Sequence, residues 1–250
     1  MRMTEPEIVR TTDAKQLAES VVSRLVKLIV SAEAEEREFH LVLTGGGVGI
    51  QTLGVLRDEA LASGMSWGHV HLWWGDERFL PEGDPERNQT QACDALINDI
   101  DIPSHQVHPM PSSDGTDHAE AERAATNYSQ ALSVAARGRG PVPEFDVCLL
   151  GLGPDNHVAS LFPGLPGVHE NEAAAIAVHD SPKPPPTRIS LTLPSIRSSR
   201  QVWVLASGAT KADAVRLGVA GGSVDEAPVA GARGADKTVF WVDEAAASKL

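Results

Sequence analysis

The segment FHLVLTGGGVGIQTLGVL, residues 39–56, sets the fold class of this chain. Its apolar run at 39–43 meets three glycines at 45–47, and an apolar helical face resumes with Ile50 and Leu53. A short apolar run, a glycine turn and then apolar positions spaced by three or four residues are typical of a β-strand that passes into an α-helix. We therefore predict a strand, a tight turn and a helix in this order.

The same succession of strand and helix recurs along the chain. Strands are predicted at 70–74, 145–150, 202–206 and 238–242, and several of them are continuously apolar. Strands without polar alternation fit a parallel sheet that helices cover on both faces. The pattern therefore predicts an α/β fold, with a doubly wound, mostly parallel sheet in a single domain over residues 1–250. Helices are expected from Asp13 to Ile29, after the glycine turn, near 89–97, at 158–161 and at 211–220.

One region departs from this succession. Two extended segments, 176–178 and 188–193, flank the stretch DSPKPPP at 180–186. Its three consecutive prolines favour polyproline II backbone and exclude a helix. We predict a small extended or hairpin excursion near 175–193.

The charge balance limits the partners of the protein. The 250 residues include 21 Lys and Arg and 34 Asp and Glu, which gives a formal net charge of −13. A field of this sign repels DNA, RNA and anionic lipid surfaces. We expect no nucleic-acid or membrane partner, and a small anionic ligand would need basic residues gathered locally.

Cysteine usage and apolar runs bear on the compartment. The two cysteines, Cys93 and Cys148, stand outside any disulfide framework or metal-binding spacing. Residues 1–10 carry four charges without an apolar run, and the chain has no uninterrupted apolar run of about 18 residues. These features favour a cytoplasmic protein with free thiols.

Polar groups follow several predicted strands, at the positions where open parallel sheets bind their ligands. The first group, Thr44, Gly45, Gly46 and Gly47, brings backbone N–H groups to a helix N-terminus, which suits a phosphate. This loop matches neither the P-loop nor the dinucleotide-binding glycine motif. A tight turn without a ligand is the alternative interpretation.

Two further loops carry candidate catalytic groups. Asp76, Glu77 and Arg78 directly follow a strand, and the alternative is a solvated turn with an internal ion pair. Asp155 and His157 lie two residues apart after another strand, beside a predicted helix. An imidazole can act as a base near neutral pH, and a nearby carboxylate can hold its tautomer. An inert loop histidine is the simpler alternative.

Four basic residues are candidates for the local positive charge, and Arg78 is the first of them. Lys183 and Arg188 flank the prolines, and Lys211 follows the SGAT turn at 207–210, a second candidate anion nest. Solvated or ion-paired surface side chains are the alternative. The nine histidines form no recognised metal motif, so a metal site is not expected.

The chain carries three long motifs: HLWWGDER at 71–78, GLGPDNHVASLFPG at 151–164 and SPKPPPTRISLT at 181–192. Taken together, these motifs resemble the 6-phosphogluconolactonase family. The resemblance implies a hydrolase of the oxidative pentose phosphate pathway that opens 6-phospho-D-glucono-1,5-lactone without a metal or an organic cofactor. It also implies a fold shared with the glucosamine-6-phosphate isomerase/deaminase group. We expect a monomer or a weak homodimer acting on this phosphosugar lactone.

The isomerase/deaminase group is the main rival. Its loop after the histidine typically continues as Phe-Asn-Glu-Pro-Gly, whereas this chain reads SLFPG at 160–164. Its second strand is followed by Asp-Glu-Tyr, whereas this chain has Asp-Glu-Arg at 76–78. Both differences favour the lactonase, and a sugar-phosphate-binding protein without catalysis remains a third possibility.

Asn156 departs from the family pattern, which has glycine between the aspartate and the histidine. Glycine in such a turn indicates positive φ, and asparagine is the non-glycine residue that best tolerates it. The backbone is therefore expected to be retained. The added amide either leaves the site unchanged or crowds the sugar and shifts His157.

The resemblance and the loop chemistry together suggest a role for each residue. His157 is expected to act as general base, Arg78 to stabilise the oxyanion or fix the substrate, and Asp155 to orient His157 or its loop. The Thr44–Gly47 loop and Arg188 are expected to hold the phosphate. Glu77 is expected to form an ion pair that holds Arg78, rather than to transfer protons. The expected substrate-binding residues are Thr44, Gly45, Gly46, Gly47, Asp76, Asn156, Lys183, Arg188 and Lys211.

Overall fold

The computed structural model describes residues 5–115 and 120–250. Residues 1–4, which begin the charged N-terminal segment, lie outside the described residues. The strands are β1 Glu7–Thr11, β2 Phe39–Leu43, β3 Val70–Trp74, β4 Asp76–Arg78, β5 Val147–Gly151, β6 Ala175–Val178, β7 Arg188–Leu191, β8 Gln201–Ala206 and β9 Lys237–Asp243. The α-helices are α1 Ala14–Ala34, α2 Gly47–Ser63, α3 Asn88–Ala95, α4 Ala121–Ala136, α5 Leu193–Arg197, α6 Ala212–Ala220 and α7 Pro228–Gly231.

Six strands form a parallel sheet in the order β1-β9-β8-β5-β2-β3. Strand β3 lies on one side of β2 in the sheet, whereas β5, β8 and β9 lie in succession on the other side. Right-handed crossovers that run in opposite directions place their helices on opposite faces of the sheet. The predicted doubly wound sheet is confirmed, and the strand order reverses between β2 and β5.

The core forms where apolar strands meet amphipathic helices. β2 is buried along its whole length, and Trp73, Trp74 and Trp203 are fully buried. Asp13 caps the N-terminus of helix α1, because its carboxylate accepts a hydrogen bond of 2.8 Å from the backbone N–H of Gln16. Such a cap stabilises a helix by about 1 kcal/mol. The buried residues of α1 are Leu17, Ala18, Val21, Val22, Leu25, Ile29 and Ala32.

A second, antiparallel sheet has the order β4-β7-β6. Its β6–β7 hairpin confirms the predicted excursion, and β4 adds a strand where a loop was expected. The register pairs Arg78 with Arg188 and Asp76 with Ser190. This sheet therefore carries two distant motifs to one place.

The structure corrects the sequence prediction at 158–161. Val158 forms isolated bridges with Leu152 and Leu161, and Ala159 has a φ of 48°, so this segment is a tight turn and not a helix. Helix α4 and strand β1 were not predicted. Within the described ranges, no helix is long and apolar enough to cross a membrane.

Candidate active site

The two loops at the point where the strand order reverses face one cavity. The hydroxyl of Thr44, after β2, accepts a hydrogen bond of 3.0 Å from the backbone N–H of Gly151, at the end of β5. Open α/β sheets bind ligands at such a reversal, beyond the carboxyl ends of the strands. The cavity has a volume of about 810 Å³. Ten predicted site residues line it: Thr44, Gly45, Gly46, Gly47, Asp76, Arg78, His157, Lys183, Arg188 and Lys211.

The glycine loop begins α2 with its backbone exposed to the cavity. Gly46 is the N-cap residue of this helix and has a φ of 81°, which glycine adopts without the steric penalty of a side chain. The helix carries no acidic residue in its first turn and no side-chain cap. Its N-terminal N–H groups therefore suit an anion, as the loop sequence predicts.

His157 is held by a carboxylate. Its Nδ1 lies 2.5 Å from Oδ1 of Asp155, and its ring packs against Phe162 at a centroid distance of 4.6 Å. An ionised carboxylate only accepts hydrogen bonds, so the bond assigns the proton to Nδ1 and leaves Nε2 as the basic nitrogen. A Cβ atom on Gly153 would lie 1.9 Å from the same Nδ1, so this packing requires glycine there.

Lys183 also reaches this pair. Its Nζ lies 3.2 Å from Oδ1 of Asp155 and 3.4 Å from Nδ1 of His157. Burial of Asp155 opposes its ionisation, but the hydrogen bonds and charges of His157 and Lys183 outweigh that effect and lower the pKa of the carboxyl group. Asp155 is therefore a carboxylate at neutral pH, and it does not itself line the cavity.

Asn156 adopts the predicted left-handed conformation, with a φ of 71°. Its side-chain Nδ2 donates a 3.0 Å hydrogen bond to the carbonyl of Glu226, and its own carbonyl accepts one of 3.2 Å from the N–H of Val229. The amide thus bonds to the segment before α7 and is not part of the cavity lining. Of the two alternatives for this residue, the geometry favours the one that leaves the site unobstructed.

Asp76 and Arg78 of β4 face the cavity. Oδ2 of Asp76 accepts a hydrogen bond of 2.6 Å from the hydroxyl of Ser160, and its carbonyl accepts one of 2.8 Å from Nδ2 of Asn88. The guanidinium group of Arg78 donates to the carbonyl of Glu86. Sequence reasoning missed Ser160 and Asn88, although Ser160 lies inside the 151–164 motif.

Arg188 is buried, and the strand register places it opposite Arg78. Burial lowers the pKa of its guanidinium group, and the charge of Asp76 partly offsets this effect. Its N–H groups donate to the carbonyls of Lys183, Pro184 and Pro185 at 3.0–3.2 Å. Arg188 therefore lines the cavity and also holds the proline-rich segment.

The predicted ion pair of Glu77 is present, but the predicted partner, Arg78, is wrong. Successive strand residues point to opposite sides, so Glu77 points away from the face shared by Asp76 and Arg78. It is fully buried, lies 3.7 Å from Nη2 of Arg87 and accepts backbone hydrogen bonds from Arg78, Asn88 and Gln89 at 2.7–2.9 Å. Burial raises the pKa of its carboxyl group. Its ion-pair partner is thus Arg87, and it fixes the start of α3.

The second candidate anion nest is occupied by the chain itself. The N–H of Gly208 lies 3.0–3.1 Å from both carboxylate oxygens of Asp243, and the hydroxyl of Ser207 donates to the same group at 2.5 Å. Lys211 still lines the cavity, and burial together with the charge of Lys183 lowers its pKa. The positive charge in this part of the site comes from the lysines and not from the turn.

Comparison with known proteins places this geometry in a family. Residues 12–241 match the model described as glucosamine-6-phosphate isomerases/6-phosphogluconolactonase. A 6-phosphogluconolactonase of Streptomyces coelicolor is 49% identical, covering 98% of this chain and 95% of the relative. One of Mycobacterium tuberculosis is also 49% identical, covering 95% of this chain and 96% of the relative.

Solved structures agree with the sequence relatives. The 6-phosphogluconolactonase of Trypanosoma brucei superposes with a TM-score of 0.83 at 29% identity, covering 98% of this chain and 99% of that one. A monomeric glucosamine-6-phosphate deaminase reaches a TM-score of 0.81 at 20% identity, covering 98% of this chain and all of that one, which shows the common fold alone. By the family match and the full-length relatives, the chain belongs to the 6-phosphogluconolactonase family.

Proposed function

We propose that this protein hydrolyses 6-phospho-D-glucono-1,5-lactone to 6-phospho-D-gluconate, with His157 as the general base. The observation that carries the proposal is His157, which Asp155 holds through a 2.5 Å bond and which lines a cavity together with four basic side chains. An anionic substrate fits the basic residues, and an imidazole held at Nδ1 by a carboxylate fits the activation of water. The names of the relatives that cover almost the whole chain support this choice of substrate.

The proposed reaction uses one residue for both proton transfers. Nε2 of His157 takes a proton from water as the oxygen attacks C1 of the lactone, and a tetrahedral oxyanion forms. The C1–ring oxygen bond then breaks, and the imidazolium returns its proton to the departing ring oxygen. The product is the open-chain acid, which ionises in water. A positioned base typically accelerates such a step by about 10²- to 10⁴-fold.

Electrostatics complete the proposed mechanism. Asp155 holds the His157 tautomer and stabilises the imidazolium while it exists. Arg78 is placed to stabilise the oxyanion or to fix the sugar, because its side chain lines the cavity on the face of β4 that it shares with Asp76.

The phosphate end supplies binding energy for orientation. The N–H groups of the Thr44–Gly47 loop, with Arg188 and Lys211, form the proposed phosphate subsite. Energy from this remote group can be used to hold C1 against His157, so weakening the subsite is expected to lower kcat as well as raise KM.

Product analysis tests the activity against its rivals. Purified protein is supplied with the lactone, and acid release is followed above the spontaneous background; a parallel reaction with glucosamine 6-phosphate is assayed for ammonia. We expect rapid acid release and no ammonia. Ammonia release would favour the deaminase, and saturable binding of 6-phosphogluconate without turnover would favour a binding protein.

A further inference from the structure

A continuous chain of contacts joins the proposed phosphate subsite to the base. In the proline-rich segment before β7, the N–H of Ser181 donates a hydrogen bond of 3.0 Å to the carbonyl of Pro186 and closes a loop. Nη2 of Arg188 donates to the carbonyl of Lys183 at 3.2 Å. Lys183 in turn contacts Asp155, which holds His157. Arg188, Lys183 and Asp155 therefore link an anion bound at Arg188 to the imidazole of His157.

Two hydrogen-bond donors meet at one carboxylate oxygen. Oδ1 of Asp155 lies 2.5 Å from Nδ1 of His157 and 3.2 Å from Nζ of Lys183. The two nitrogens are themselves 3.4 Å apart. The ammonium group of Lys183 thus shares the negative charge of Asp155 with His157. It also places a second positive charge beside a protonated imidazole ring. Lys183 therefore competes with His157 for the same carboxylate oxygen.

The lysine contact can be exchanged. The side chains of Lys183 and Asp155 are 39% and 35% exposed, and ion pairs with this much solvent contact are weak. Lys183 also carries its charge on a flexible stem that lines the cavity. The other charged groups lining this cavity are Asp76 and Arg78 of β4, Arg188 of β7 and Lys211 before α6. Three of these four are cationic. An anion is therefore attracted into the cavity, where Lys183 forms part of the lining.

We propose that Lys183 is a positioning residue that makes His157 a stronger base when an anion is bound. In the free site its ammonium group shares Asp155 with His157, and an anion in the cavity draws that group away. Asp155 then accepts a hydrogen bond from His157 alone. The inference rests on the proposed function, since it assigns the timing of base activation to the arrival of the phosphosugar.

An NMR titration of the histidine rings tests the coupling without turnover. The probe is sulfate, which keeps its charge across the titration, and a His157→Gln variant assigns the resonance. Without sulfate, Lys183→Met is expected to move the titration midpoint of His157 to higher pH, because a cation next to the ring is removed. Saturating sulfate is expected to raise the midpoint of the wild type more than that of Lys183→Met.

Two control variants separate coupling from misfolding and from simple anion binding. Lys183→Arg keeps the cation and is expected to titrate close to the wild type. Lys211→Met is expected to weaken sulfate binding but to change the sulfate-free midpoint less than Lys183→Met does. Equal sulfate-free midpoints in wild type and Lys183→Met, or the same sulfate response in both, would overturn the proposal.

The titration and the lactone assay test two separate proposals, so a negative result in one leaves the other standing. Lactone hydrolysis with no dependence of the His157 midpoint on Lys183 refutes the coupling alone. The expected midpoint shifts in a protein that does not open the lactone refute the proposed function and leave the coupling intact.

Discussion

Asn156 illustrates what single residues reveal before a structure is known. The turn pattern predicted its left-handed backbone, and the φ of 71° confirms it. The partner of its amide, the carbonyl of Glu226, lies 70 residues away in sequence and follows no local pattern. Backbone conformation is a local property, whereas hydrogen-bond partners depend on the tertiary fold.

Substitution of Asn156 separates these two contributions. Asn156→Ala is expected to destabilise the protein by about 2–3 kcal/mol, because alanine in the left-handed region costs about 1–2 kcal/mol and the lost hydrogen bond about 1 kcal/mol. Asn156→Gly loses only the hydrogen bond and is expected to cost less. Urea unfolding of both variants measures the difference. A glycine variant as unstable as the alanine variant would contradict this account.

Glu77 is the second residue for which local reasoning was insufficient. The sequence placed it beside Arg78, but strand alternation directs it towards Arg87 and the start of α3. Glu77→Gln is expected to destabilise the protein by about 3 kcal/mol, because it leaves a buried arginine without its counter-charge. The exposed Glu82→Gln is the matched control and is expected to be neutral. Denaturant unfolding of the two variants tests this, and equal stabilities would refute the buried pair.

Among the elements, strands marked by runs of large apolar residues were predicted, whereas α4 and β4 were missed. Strands β2 and β3 have the predicted bounds because every residue within each strand is apolar or histidine. Helix α4 buries mainly alanines and also exposes Ala131, so the residue type does not mark its buried face, and β4 is only three residues long. The apolar residues at 158–161 suggested a helix, but bridges to Leu152 make the segment a turn.

A stack of three histidines, His40 of β2, His71 of β3 and the loop residue His108, lies outside the cavity lining. His40 and His71 stack at 4.7 Å, His71 and His108 at 5.3 Å, and His108 lies 3.8 Å from the ring of Trp73. Burial lowers the pKa of His40 and of His108 to about 4, with the charge of neighbouring histidines adding to the effect. Burial also lowers the pKa of His71, against the opposing charge of Glu38.

These histidines make stability depend on pH. Their folded pKa values lie below the unfolded value near 6.5, so the unfolded chain binds more protons between the two values. Their contribution is complete above about pH 6.5 and is lost as pH falls towards 4. His40→Asn, which keeps an acceptor for Trp73, is expected to reduce this loss. The exposed His169→Asn, outside this cluster, is the control, and unfolding free energies from pH 7 to pH 4 that fall equally in both variants would contradict the assignment.

The whole molecule combines a net charge of −13 with a cation-lined cavity. The sequence identified Arg78, Lys183, Arg188 and Lys211 as the local positive charge, and all four line the cavity. It could not indicate their spacing, because that spacing depends on the order of the strands and on the register of the second sheet. Motifs thus predicted the members of the site, and long-range strand pairing determined its geometry.

Removal of one of these cations is expected to lower kcat/KM, although the proposed phosphate subsite is remote from the bond that breaks. Lys211→Met should lower kcat/KM for the lactone by about 10- to 100-fold, as for a charge-assisted hydrogen bond worth about 1.5–3 kcal/mol. Lys249→Met, which removes a surface lysine paired with Asp213, is the matched control. Initial-rate kinetics after subtraction of spontaneous hydrolysis provide the comparison. Equal effects of the two variants would exclude Lys211 from the phosphate subsite.

The role of His157 is tested most directly by the rate of lactone opening in the wild type and in His157→Gln, each corrected for the spontaneous reaction. Circular dichroism and binding of 6-phosphogluconate establish that the variant is folded and retains its site. We predict clear catalysis by the wild type and a loss of about 10²- to 10⁴-fold in kcat in the variant, with a smaller change in KM. A His157→Gln variant with the kcat of the wild type would contradict the account.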